Sequence, residues 1–177
     1  MINDYEATRP IAETGTRTKI SNVDVIATLN GLIETCKDGL EGFKLAAEEL
    51  ERTDLKTLFY EFSQQRARFF GELQSLVSQL GGDPEESGSF AGTVHRGWMN
   101  LKTALIGKDE AAILNECERG EDSAKNAYKE ALQTALPANV VDVLQTQYAS
   151  VQAAHDRVKA LRDAANQDKS STASTGR

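Results

Sequence analysis

Apolar side chains recur in alternating steps of three and four residues from about residue 21 to 166, and only Pro84 and Pro137 break into that span. This period follows the 3.6-residue turn of an α-helix and gives each helix one apolar stripe that other helices must cover. The residues between the apolar positions are mostly Ala, Glu, Gln and Lys, which favour helix. An all-α fold without strands is therefore expected.

The first helix should begin at Ser21 or Asn22, either of which can cap free amides, and run to about Arg52. Its inward set is Leu29, Ile33, Cys36, Leu40, Phe43, Ala47 and Leu50. A short turn at Thr53-Asp54, expected to cap a second helix ending near Gly81-Gly82, forces an antiparallel hairpin. That second helix presents Leu55, Leu58, Phe62, Arg66, Phe69, Leu73, Leu76 and Leu80. The segment GGDPEESGS stops the pattern, and Phe90 to Ile106 reads as a shorter helix with Val94, Trp98, Leu101 and Leu105 on one side. Asp109 can cap the next long helix, whose stripe is Leu114, Cys117, Glu121, Ala124, Tyr128, Ala131 and Ala135. Pro137 suits the first turn of the last helix, which carries Leu144, Tyr148, Val151, His155, Val158 and Leu161. Four helices of roughly 27 to 30 residues, each about 40 Å long at 1.5 Å per residue, make one four-helix bundle with a crossover helix between helices 2 and 3. Residues 1–20 lack any apolar period and read as a flexible N-terminal tail, and 167–177 (QDKSSTASTGR) as a disordered C-terminal one.

The 177-residue chain carries 27 acidic and 20 basic side chains, a formal net charge of -7, which disfavours nucleic acid and anionic membrane surfaces as partners. The start, MINDYEATRP, has neither a basic nor an apolar stretch, so a cytoplasmic location with no signal peptide or membrane span is expected. The two cysteines, Cys36 and Cys117, both fall on inward faces and read as small buried hydrophobes rather than as a disulfide.

One residue near the midpoint of each long helix fits the stripe without being an ordinary core residue: Cys36, Arg66, Glu121 and His155. Midpoints of antiparallel helices meet, so these residues, with Gln152 one turn before His155, are expected to form a central polar layer. Unpaired buried charge is costly, and the groups should satisfy one another. Arg66 and Glu121 are expected to form a direct buried ion pair through two parallel hydrogen bonds from the planar guanidinium, with His155 and Gln152 within reach.

The first helix, CKDGLEGFKLAAEEL, and the third, EDSAKNAYKEAL, resemble the repeated half-motif of rubrerythrin and ferritin-like proteins, where a metal-binding Glu precedes an aromatic by seven residues; here the pairs are Cys36 with Phe43 and Glu121 with Tyr128. In that superfamily the partner helices supply a Glu and a His three residues apart; the corresponding positions are Arg66 with Phe69 and Gln152 with His155. More closely, residues from about 22 to 164, including CKDGLEGF, HRGWMNLK, ECERGEDSA and AHDRVKALRD, resemble a bacterial family of ferritin-like four-helix proteins that is a domain of unknown function. The resemblance implies a ferritin-like fold and no particular activity.

A dinuclear iron or manganese site needs about four carboxylates and two histidines. Cys36 and Phe69 remove two of those positions, Gln152 is a weak neutral ligand, and Arg66 places a fixed positive charge where a cation would sit. The expectation is therefore a non-catalytic, stress-associated bundle without metal, acting through homo-oligomerisation or an unidentified protein partner. The alternative is a metal-binding or oxidoreductive ferritin relative, with iron, manganese or zinc on Glu121, His155 and Cys36. Glu116, Glu118 and Asp122 read as a solvated acidic face rather than as a metal entry site. Phe90 and Trp98 read as sealing the crossover against the bundle, and His95 as a surface or packing residue to which no role is assigned. No catalytic triad, phosphate-binding glycine loop or paired zinc cysteines are visible in the sequence.

Overall fold

A computed structural model describes residues 21–84 and 109–175. The tail expected over 1–20 and the crossover helix expected over Phe90 to Ile106, with His95 and Trp98, lie outside the described residues. Within them the chain forms four helices and no strand: α1 (Asn22–Glu49), α2 (Thr53–Gln79), α3 (Glu110–Leu132) and α4 (Ala138–Thr175).

Local chemistry sets most of the ends. Ser21 Oγ accepts from the Asp24 amide and donates to the Asp24 carboxylate, so two groups at the start of α1 satisfy each other. Only Leu50, Glu51 and Arg52 link α1 to α2, which makes the pair an antiparallel hairpin. The cap expected from Thr53 and Asp54 is not made. Arg52 holds the N-cap position without a side-chain cap bond, and Asp54 instead pairs with Arg52 at 2.6 Å, its carboxylate lying in the first turn where the helix dipole favours it. α2 ends on Gly81 at φ +77°, with Gly81 N–H donating to Ser78 and Gly82 N–H to Val77. This reversal satisfies the last carbonyls and needs a residue tolerant of left-handed backbone. Asp109 Oδ1 accepts from the Ala111 amide and starts α3, and Pro137, just before α4, accepts from Val140 and Val141.

α3 stops at Leu132, so Ala135, expected on its stripe, is exposed in the link to α4. α4 corrects the expected C-terminal tail in the other direction, continuing as helix from 167 to Thr175. No Gly or Pro falls there, and elongating an existing helix avoids the cost of nucleating a new one. The extension is exposed over 167–171, and Lys169 reaches back to Asp109 at the start of α3.

α1 packs along α2 and α3 along α4; α1 also meets α3, whereas α2 and α4 approach each other only sparsely. The core divides into two apolar halves. One is built on Leu29, Ile33, Leu73, Leu144 and Val151, and the other on Phe43, Ala47, Leu55, Phe59, Leu114 and Val158. In the first half of α2 the fully buried stripe runs Leu55, Phe59, Ser63, Arg66, so Leu58 and Phe62, expected inward, are half-buried. Leu40 is likewise half-buried, and Gly39 takes the inward place beside it. No described helix is long and apolar enough to cross a membrane.

Candidate functional site

Arg66 on α2 and Glu121 on α3 lie where the two apolar halves meet, each 1% exposed. Arg66 Nη2 donates to both carboxylate oxygens of Glu121, at 2.8 and 2.7 Å. The pairing differs from the expected two-nitrogen fork: Nη1 turns to Gln65 Oε1 at 2.6 Å, and Nε is buried without a hydrogen-bond partner. The guanidinium is wedged between aromatic rings, 5.9 Å from the centre of Phe43 and 5.7 Å from that of Phe69, which steers its nitrogens in the plane left open. Gly39 on α1 makes room for the side chain. A Cβ there would stand 3.2 Å from Arg66 Cγ. Burial pushes the Glu121 carboxyl above its ordinary range, while contact with Arg66 pulls it back.

Cys36 is fully buried but bonds elsewhere. Its thiol lies 3.2 Å from Tyr128 Oη, Tyr128 donates to Gln147 Oε1 at 2.8 Å, and Gln147 Nε2 donates to Glu72 Oε2 at 2.7 Å. Since the tyrosine has one proton and gives it to Gln147, the thiol must be the donor at the other end. The chain takes one residue from each helix and ends on an exposed residue, Glu72. Burial pushes the Cys36 thiol up to about 11, with the Tyr128 contact opposing, so it stays protonated at neutral pH. Burial also raises the Cys117 thiol and the Tyr128 phenol.

Gln152, expected in the layer, is exposed; Gln147, 1% exposed, is the buried glutamine of α4. At 100° per residue, Gln152 sits about 100° from Val151, the centre of the buried face, whereas Gln147 sits only about 40° away. His155, buried at 5% exposure, sits about 40° to the other side of Val151. Its hydrogen bonds bypass the Arg66–Glu121 pair: Nε2 is 3.0 Å from Asp122 Oδ1 and Nδ1 is 2.9 Å from Asp156 Oδ1. Lys125 Nζ stands 3.0 Å from Nε2 and 3.3 Å from Asp122, and Arg162 Nη1 pairs with Glu118 at 2.8 Å. Glu118, Asp122 and His155 together offer three ligand atoms within 4.8 Å of one another, the one such group of three among the described residues.

The five expected residues therefore divide three ways. Arg66 and Glu121 meet, Cys36 belongs to a chain with Tyr128, Gln147 and Glu72, and His155 turns to the flank while Gln152 faces solvent. Gln147 was the missed member that spacing offered, since it lies three residues after Leu144 and four before Val151. No periodic signal pointed to Glu72, an exposed residue reached by a buried one.

A family model described as a domain of unknown function (DUF2383) matches residues 24–134. No curated protein matches the chain. A solved structure similar in fold is a two-domain protein from Anabaena variabilis ATCC 29413 containing DJ-1/ThiJ/PfpI-like and ferritin-like domains, with a TM-score of 0.68 at 12% identity. The match covers 92% of this chain and 45% of that one, so the chain spans under half the length of that protein. The all-helical fold is ferritin-like.

Proposed function

The chain belongs to the DUF2383 family, and from that premise we propose that it is a non-catalytic, stress-associated helical-bundle protein whose ferritin-type metal centre has become a buried ion pair. The observation that carries this reading is Arg66 Nη2 bonded to both oxygens of Glu121. A bridging carboxylate for two ions needs those oxygens free, and the guanidinium cannot be deprotonated to release them. The other donors fit a dinuclear site no better. Cys36 is a protonated thiol engaged with Tyr128, His155 turns to Asp122 and Asp156, and Gln152 is exposed. On this reading the protein works in the cytoplasm by assembling with copies of itself or binding a protein partner.

Stopped-flow absorbance with excess ferrous iron and oxygen tests the proposal. The expected result is no rapid, saturable oxidation. Fast turnover abolished by Glu121→Gln would overturn it in favour of an oxidoreductive ferritin relative.

A further inference from the structure

We propose that Glu118, Asp122 and His155 form a mononuclear site for a divalent transition-metal ion on the flank of the bundle, where α3 meets α4. It goes beyond the reading of the centre, since none of its ligands pairs with Arg66. Glu118 and Asp122 are one helical turn apart on α3 and so share a face, and His155 faces them from α4. The 3.0 Å between His155 Nε2 and Asp122 Oδ1 is within a few tenths of an ångström of the spacing of two ligands on one ion, since tetrahedral bonds of about 2.0 to 2.2 Å put neighbouring donors roughly 3.3 to 3.6 Å apart.

The histidine is prepared for a metal in a second respect. Nδ1 faces the Asp156 carboxylate at 2.9 Å, an arrangement that places the proton on Nδ1 and leaves the Nε2 lone pair toward Asp122 and Glu118. The ring is buried, so packing holds that orientation.

The neighbours of Nε2 are in conflict. To bond the Asp122 carboxylate it must donate a proton, while the Lys125 ammonium, itself only a donor, lies against the same ring at 3.0 Å from Nε2 and 3.4 Å from Nδ1. A divalent cation removes the conflict, taking the lone pair and the Asp122 oxygen together while the lysine swings aside on its flexible stem. Lys125 and the Arg162 guanidinium on Glu118 supply the positive charge that the two carboxylates otherwise lack. One imidazole and two carboxylates favour a zinc-class transition ion over calcium or magnesium, and three protein ligands leave a position for water.

Isothermal titration of chelator-stripped protein with Zn²⁺ tests the site, with the visible spectrum of the Co²⁺ form reporting coordination geometry. One ion per chain is expected. Asp122→Asn and Glu118→Gln should each weaken binding at least tenfold. Asp156→Asn should weaken it on the order of tenfold through the histidine's orientation. Lys125→Gln should tighten it severalfold, an effect that general loss of structure would not produce. Asp122 is about half-exposed and Glu118 lies on the flank rather than in the core, so circular dichroism should show both variants folded. Absence of saturable Zn²⁺ binding overturns the proposal, as does binding that Asp122→Asn and Glu118→Gln leave unchanged. Either outcome leaves the reading of the centre standing, and Glu121-dependent iron oxidation would overturn that reading without touching this one.

Discussion

Arg66–Glu121 and Arg162–Glu118 each tie α3 to another helix, and they are almost the same length. Arg66–Glu121 measures 2.7 Å and Arg162–Glu118 measures 2.8 Å. The first pair is 1% exposed on both sides, whereas the second is 20% and 15% exposed. Distance therefore says little about what each pair contributes. In the dry centre, losing one partner strands a charge that no water can reach, while on the flank water or another ion takes the vacated place. The same difference separates their roles: the central pair is closed to exchange, and the flank pair can give way to a metal.

The largest expected effect comes from removing the buried cation. Arg66→Ala should destabilise the protein by about 3 to 5 kcal/mol, measured by urea unfolding, because Glu121 is left buried without its partner and must either stay charged there or take up a proton. A loss below about 1 kcal/mol would mean that water enters the layer and that the two pairs are alike.

Alkaline unfolding should report the second buried network. At neutral pH the Cys36 thiol is protonated in both folded and unfolded chains, so it adds no pH dependence there. As pH rises past the ordinary value of 9.0 the unfolded thiol ionises, while the native one keeps its proton to about 11. Stability should therefore fall across that window by roughly 2 to 3 kcal/mol at 1.36 kcal/mol per unit, an effect reduced in Cys36→Ala. An identical alkaline limb in the variant would show that this thiol is not held protonated by burial.

Tyr128→Phe should cost about 1 to 3 kcal/mol by thermal or urea unfolding, since it strands the Cys36 thiol and Gln147 Oε1. A neutral result would mean that both groups find other partners. The smallest effect is expected on the flank, where Arg162→Gln should change stability by less than about 1 kcal/mol. A cost similar to that of Arg66→Ala would erase the contrast between the two regions.

The helices, the Ser21 and Asp109 caps and the glycine stop after α2 could be read from the sequence because each depends on neighbouring residues alone. So could the inward placement of Arg66 and Glu121, which sit on a steady stripe near the middle of their helices. Where the chain offered two inward registers, period was not enough. In α2 the stripe through Phe59 and Ser63 competes with one through Leu58 and Phe62, and in α4 Gln147 competes with Tyr148; packing decides both. His155 is as close in phase to Val151 as Gln147 is, yet its partners are Asp122 and Asp156 on the flank, a choice that helix phase does not specify. The unpaired Arg66 Nε and the place of Gly39 depend on how side chains fill the space between helices, which no single helix specifies.

Arg66 and Glu121 satisfy each other in the dry centre of the bundle. A double-mutant cycle by urea unfolding, with Arg66→Leu, Glu121→Leu and the double variant, measures that dependence directly. Each single change should cost about 3 to 5 kcal/mol, and the double variant should recover much of that loss because no charge remains buried. Costs that simply add would contradict the account, showing that the two side chains contribute to stability independently of each other.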